Sequence, residues 1–217
     1  KKCLARRGPS EPWEAAYLPI DPADLGRSYQ EVIRINSQSG KGGIAYILEQ
    51  EQGLQLPRWL QVDFSTVVQK CAEDSETEVA PEKIMELFEQ QYFGPRLPFD
   101  LAGYQLAREN NEDQLVASLT ENGSAFTLSG RASGVVGAFV SALEVHSGKN
   151  IVLVEYSEHT LNQADGAGAD AVTYVQLNVD GRRYCGIGRS SDIVEASLLA
   201  ILSAVNQPLR VGENIAA

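Results

Sequence analysis

The feature that most constrains this chain is an internal repeat. Gly123, Phe126, Gly130, Arg131, Ser133, Val135, Ala138 and Ala142 pair with Gly181, Tyr184, Gly188, Arg189, Ser191, Ile193, Ala196 and Ala200, each 58 positions further on and without a gap. The stretch "GRASGVVGA" against "GRSSDIVEA" is the clearest segment. Such a repeat outranks local propensity in setting a fold, because both copies must form the same supersecondary unit. In each copy two alternating runs flank a hairpin signal, Asn122-Gly123 and then Asp180-Gly181. Each hairpin runs into an apolar helical stretch, "SGVVGAFVSALEVHSG" or "SDIVEASLLAILSAVNQ", and follows a further strand, "AGYQLAR" or the continuously apolar "NIVLVEY". The sequence therefore predicts two βββα units about a pseudo-twofold axis, with helices on one face of the sheets.

Upstream the texture is different, and the fold class as a whole is α+β. Residues 1–30 are rich in proline and turn residues and read as an extended linker, with at most a short helix around Pro22–Leu25. Residues 31–97 read as a mixed, largely helical linker subdomain. Pro57 suits a first helical turn, and Leu60, Phe64, Val67, Val68 and Cys71 fall on one face. Pro81 opens a second helix with Ile84, Leu87, Phe88 and Tyr92 as its stripe. "GPRLP", ending at Pro98, stops that helix and marks the start of the repeat domain, 98–217.

"SGKGG", Ser39 to Gly43, has the look of a phosphate-wrapping loop but fails both nucleotide patterns. A G-x-x-x-x-G-K-[ST] loop would need glycine where Ile35 stands and a hydroxyl where Gly42 stands. The stretch is better read as a glycine turn between two strands, "YQEVIRI" and "IAYILE". The formal net charge of −11 lacks the footprint of a nucleic-acid binder and would be repelled by an anionic membrane. No apolar run approaches the ~20 residues that span a bilayer. The basic N-terminus has no apolar core of a signal peptide, and the chain opens without Met, as a piece of something longer would. Cys3, Cys71 and Cys185 are scattered and odd in number, which fits isolated thiols in a reducing cytosol.

Little in the chain points to catalysis. His146 and His159 are the only histidines, and neither has a metal-binding partner at H-x-H or H-E-x-x-H spacing. "EYSEHT", Glu155 to Thr160, groups two acids, a phenol and an imidazole just after a strand read as buried; a structurally satisfied strand end reads as well as a catalytic cluster. "SGRASGVVGAF" is more suggestive, because Gly130, Gly134 and Gly137 flank or enter a helix N-terminus. Unpaired first-turn N–H groups and the helix dipole favour an anion there. A free amino acid would suit, its carboxylate on those N–H groups and its side chain against Val136 and Leu153. The alternative is a strand–helix turn that needs glycine for close packing. The second copy has Asp192 for Gly134 and Glu195 for Gly137, an ordinary capping pair, so only the first copy keeps the ligand-friendly chemistry. "NQADGAGADAV" reads as a mobile loop, a bland connection or a lid.

These residues carry a resemblance. "YLPIDPADLGRSYQEVIRINSQSGKGGIAYILE" and "GLQLPRWLQVDFSTVVQK" closely resemble the linker of the long-form 2-isopropylmalate synthases. The repeat, with "SGVVGAFVSAL", "YSEHT" and "EASLLAILSAVN", resembles the leucine-sensing C-terminal domain of the same enzymes, a fold that citramalate synthases share. The resemblance implies that this chain is the part that follows a (β/α)₈ barrel. In the family that barrel, holding a divalent metal, condenses acetyl-CoA with 2-oxoisovalerate toward leucine. It implies no catalytic residue and no cofactor here, Tyr17 alone matching a linker tyrosine that reaches the partner's active site. It implies a cytoplasmic homodimer that binds L-leucine through Gly134, Val136, Gly137, Leu153, Tyr156, Thr160, Ala169, Ala171 and Ile193. An isoleucine sensor from a citramalate synthase, or a dimerisation module without a ligand, are the alternatives.

Overall fold

The computed structural model describes residues 41–75, 79–94, 97–161 and 169–213. Tyr17, the extended linker, "YQEVIRI" and most of the glycine-rich loop after Leu161 lie outside them. The elements run α1 (Lys41–Gln52), α2 (Arg58–Ser75), α3 (Pro81–Tyr92), β1 (Phe99–Glu109), β2 (Glu112–Glu121), β3 (Ser124–Ala132), α4 (Val135–Ser147), β4 (Ile151–Leu161), β5 (Asp170–Val179), β6 (Arg182–Ser190) and α5 (Ile193–Glu213). The chain is thus mixed α+β, with βββα occurring twice in succession. No helix among the described residues is long and apolar enough to cross a membrane.

The first correction falls on "IAYILE", which is not a strand after a glycine turn. Lys41 to Gln52 form α1, and Ile44, Ile47 and Leu48 bury one face of it. Two glycines at its start cost the helix about 1 kcal/mol each relative to alanine, and burial of the apolar face overrides that. Gly53, at φ +70°, ends the helix, with its N–H bonded to Glu49 O and the Leu54 N–H to Leu48 O. This left-handed cap is where glycine's freedom is used.

The two predicted linker helices are present. In α2 the buried positions Leu60, Phe64, Val68 and Ala72 recur every four residues, and in α3 so do Ile84, Phe88 and Tyr92. Phe64 meets Phe88 edge to face at 5.0 Å. The Tyr92 hydroxyl donates to Asp63 Oδ2 at 2.8 Å and so ties α3 to α2.

Both sheets are antiparallel, in the orders β1-β2-β3 and β4-β5-β6. Asn122-Gly123 and Asp180-Gly181 make the two predicted turns, all four residues at positive φ. The repeat goes further than the hairpins. Asn122 N–H bonds to Pro98 O, and Asp180 N–H to Asn150 O. Arg131 faces Glu112 at 3.7 Å, and Arg189 faces Asp170 at 2.9 Å. Each first strand carries a bulge in its pairing with the second, between Leu101 and Gly103 in β1 and between Leu153 and Glu155 in β4. Those bulges lie 52 positions apart rather than 58, and at the same offset Leu101 and Tyr104 match Leu153 and Tyr156.

The units are packed reciprocally, β1 against α5 and β4 against α4, with the two helices touching between them. A twofold relation requires this exchange. One core joins Leu115, Leu119, Phe139 and Leu143 to Val175, Leu177, Leu198 and Ile201. The amide of each first strand's leading residue is held by the other unit's helix: Phe99 N by Asn206 Oδ1 at 3.0 Å, and Ile151 N by Glu144 Oε1 at 2.9 Å.

The outer faces of the sheets differ. On sheet β4-β5-β6, Val172, Tyr174, Gln176, Cys185 and Ile187 are buried. Burial, with the Asp63 carboxylate of α2 beside it, pushes the Cys185 thiol up to about 12. The Ser203 hydroxyl on α5 donates to Tyr92 O at the end of α3. Linker helices therefore rest on the second unit. The matching strand positions of the first unit, Thr127 and Ser129, are exposed.

Candidate functional site

The three glycines around the first strand–helix junction separate by role. Gly130 is a packing glycine: a Cβ there would stand 2.0 Å from Ala138 O, and one at its repeat partner Gly188 1.9 Å from Ala196 O. In both units the helix backbone lies against the last strand, and no side chain fits between. Gly134 is different, since a Cβ built on it meets nothing within 4 Å. It is the N-cap of α4, in extended conformation at φ −158° and ψ 153°, and it offers no side-chain cap. No side chain therefore caps the first turn of α4. Val136 is half-buried and Gly137 exposed.

At the start of α5 the same place is filled. Asp192 Oδ1 accepts the Val194 N–H at 2.9 Å. The Tyr104 hydroxyl, from the first unit, donates to Asp192 Oδ2. That bond, then partial burial, pushes the Tyr104 phenol up to about 12. A carboxylate therefore sits at the α5 N-terminus between a backbone amide and a tyrosine hydroxyl from the other unit. Under the repeat, Val194 corresponds to Val136, Asp192 to Gly134, and Tyr104 to Tyr156. Neither the carboxylate nor the tyrosine bond has a counterpart at α4: Gly134 offers no cap, and the Tyr156 hydroxyl is bonded to Ser197 and Glu158.

Leu153, Tyr156 and Thr160 all lie on β4, and here a second expectation is corrected. "NIVLVEY" is not a buried strand, and "EYSEHT" does not follow it but continues it. β4 is an edge strand whose Val152 is 51% exposed, with Leu153, Val154 and Tyr156 exposed beside it. An apolar strand reads the same in sequence whether its cover is its own core or something else. Thr160 pairs across the ladder with Ala171, which is buried on β5. Ala169 is exposed just before β5, and Ile193 is exposed at the start of α5.

Tyr156 links these elements. Its hydroxyl lies 2.9 Å from Ser197 Oγ, and the Ser197 hydroxyl donates to Ile193 O at 2.8 Å. The same hydroxyl donates to Glu158 Oε2 at 2.6 Å. Burial, then the bond to Glu158, raises the Tyr156 phenol above its ordinary value. The fold thus gathers Leu153, Tyr156 and Thr160 with Ala171 and Ile193 around the β4–β5 ladder and the start of α5. Gly134, Val136 and Gly137 open the helix against which β4 packs.

Ser197 and Tyr104 are not singled out by the sequence, which marks Asp192 only as a cap and Glu158 only as one of the two acids of "EYSEHT". Allowing a second repeat offset would have aligned "LAGY" with "LVEY" and exposed the tyrosine pair. Of the acid–imidazole grouping, His159 is bonded structurally, its Nε2 3.3 Å from Gly53 O and 3.4 Å from Gln55 N. Among the described residues no three of His, Cys, Asp or Glu come together to hold a metal ion.

The fold and this site define a tandem βββα domain with one capped and one open helix end, joined to a helical segment. The model of the LeuA allosteric (dimerisation) domain matches residues 78–209, more than half of the chain, and the chain belongs to that family. Residues 1–49 match the model described as alpha-isopropylmalate synthase, post-catalytic domain-like. The chain is 43% identical over 212 residues to a 2-isopropylmalate synthase of Brucella melitensis, covering 95% of this chain and 38% of that protein. It is 40% identical to one of Alcanivorax borkumensis, across 100% of this chain and 39% of that protein. A Mycobacterium leprae 2-isopropylmalate synthase is 40% identical over 91% of this chain and 32% of its own length. The chain thus spans under two-fifths of the length of these relatives.

Proposed function

We propose that this chain is the regulatory portion of a 2-isopropylmalate synthase, and that it binds free L-leucine at the open N-terminus of α4. The observation that carries the reading is Asp192. The protein already holds one carboxylate on a helix-end amide, and the related helix end at Gly134 has no carboxylate and no side-chain cap. A ligand carboxylate supplies the missing group, on the Val136 N–H. An anion at such a helix end gains from unpaired donors and from the dipole together. The side chain of leucine then lies against Val136 and Leu153, with Gly137, Thr160, Ala169, Ala171 and Ile193 completing the surround.

Most of those residues are exposed in a single chain, so a second copy is the natural cover. The exposed apolar strip Val152, Leu153 and Val154 on β4 supports a homodimer closed over this edge. Feedback then acts by linkage. Leucine favours one arrangement of the dimer, and the linker helices carry that preference to a cytoplasmic catalytic barrel that condenses acetyl-CoA with 2-oxoisovalerate. Tyr17 is the one residue here with an indirect part in that chemistry.

The test is a thermal-shift and calorimetric panel of branched-chain amino acids, since a ligand of the native state raises its melting point. Leucine is expected to give the largest shift, without added metal, on a dimeric chain. A larger response to isoleucine would assign the domain to a citramalate-type sensor, and silence toward every amino acid would refute ligand binding. Val152→Asp should shift the chain to monomer in light scattering and remove the leucine response with it.

A further inference from the structure

We infer that His159 is the positioning residue through which the effector site acts on the linker helices; this rests on the reading of α4 as an amino-acid site. The argument begins with strand alternation. On β4, Tyr156 and Thr160 pair with Val175 and Ala171. They point to the helix side, where Tyr156 reaches Ser197. His159 pairs with Val172 and points the opposite way, onto the turn between α1 and α2. One strand therefore presents effector-site residues on one face and a linker contact on the other.

The linker contact is specific. His159 Nε2 lies 3.3 Å from Gly53 O and 3.4 Å from Gln55 N. A ring nitrogen that donates serves the carbonyl, and one that accepts serves the amide, so either tautomer finds a partner on this turn. The imidazole is stacked on Tyr174, centroids 5.5 Å apart and 15° between planes, and Tyr174 is fully buried. The ring is thus clamped between a rigid aromatic face and the cap of α1. Leu161, two residues on and on the same face, has a methyl 3.4 Å from where a Gly53 side chain would begin. A displacement of β4 on leucine binding is passed to the α1–α2 turn by this pair of residues.

Hydrogen exchange of the chain, with and without leucine, tests this alongside calorimetry. In the parent chain leucine should give binding heat and change exchange at the Gln55 amide at least about fivefold, the lower end of ordinary coupling. His159→Ala should keep the heat and lose the change at Gln55, and His159→Gln, which retains a donor and an acceptor, should recover part of it. Absence of heat from the parent chain would sink the effector reading and this inference with it. Heat with an unresponsive Gln55, or an unaltered response in His159→Ala, would overturn the relay alone. If His159→Ala lost leucine binding while His159→Gln kept both signals unchanged, His159 would belong to the site's support and the relay would likewise fall.

Discussion

Gly134→Asp is the sharpest perturbation available, because it copies into the first unit what the second already has. A side chain fits there: a Cβ meets nothing within 4 Å, and the backbone is extended. Aspartate and glycine differ by only a few tenths of a kcal/mol as N-caps, so the melting temperature should stay within about 2 °C of the parent. Leucine binding should not survive. A ligand carboxylate would meet a fixed one at about 5 Å, which costs about 3 kcal/mol at an effective dielectric of 20. It would also lose part of the helix end, worth up to ~2 kcal/mol. Gly134 is only half-buried and salt screens the repulsion, so about 3 kcal/mol in total is the working figure, a loss of more than about a hundredfold. Calorimetry reads the affinity and a thermal melt reads the fold. Gly134→Asn, a neutral cap of the same size, separates charge from bulk and should weaken leucine much less. A folded Gly134→Asp chain that bound leucine within about tenfold of the parent would refute the site.

Gly188→Ala should destabilise the chain without touching the proposed site. Its Cβ would fall 1.9 Å from Ala196 O and 2.5 Å from Ala200 N, both helix backbone, and such overpacking costs about 1–3 kcal/mol. Gly103→Ala, with nothing within 4 Å, is the control in a urea titration, and equal midpoints would contradict the close-packing account. Alkaline pH should weaken the fold. The Cys185 thiol, pushed up to about 12, keeps its proton in the native state where the unfolded chain has released it. The raised phenols of Tyr92 and Tyr156 act in the same sense. Their contribution is intact below about pH 9 and is lost progressively toward about pH 12. Urea midpoints that stayed level from pH 8 to pH 11 would contradict it.

What could be read in advance followed physical rules of different reach. The repeat and its turns were legible because Asn122-Gly123 and Asp180-Gly181 need positive φ, and because Gly130 and Gly188 stand where a helix backbone touches a strand. Gly130 and Gly134 look alike as letters, yet one has no room for a methyl and the other faces space. Only coordinates separate close approach from an open cap. "IAYILE" is helix and not strand because the helical spacing of Ile44, Ile47 and Leu48 outweighs the turn preference of the glycines before it. β4 departs from its sequence pattern for another reason. Val152 to Val154 satisfy the pattern of a core strand, and a sequence does not say which molecule supplies the cover.

The duplicated bulge in β1 and β4 speaks to ancestry. Two strands that share an irregularity at matching positions inherited it, so it predates the doubling of the unit. Before that event a single βββα unit would have met another copy of itself, each first strand lying over the other's helix as β1 lies over α5 and β4 over α4 today. Such an ancestor had two equivalent helix ends. Fusion freed the halves to drift apart: one helix end now carries Asp192 and the other Gly134, and eight residues join β4 to β5 where two join β1 to β2. On this history the two helix ends began alike, and they now differ in that Asp192 caps one and no side chain caps the other.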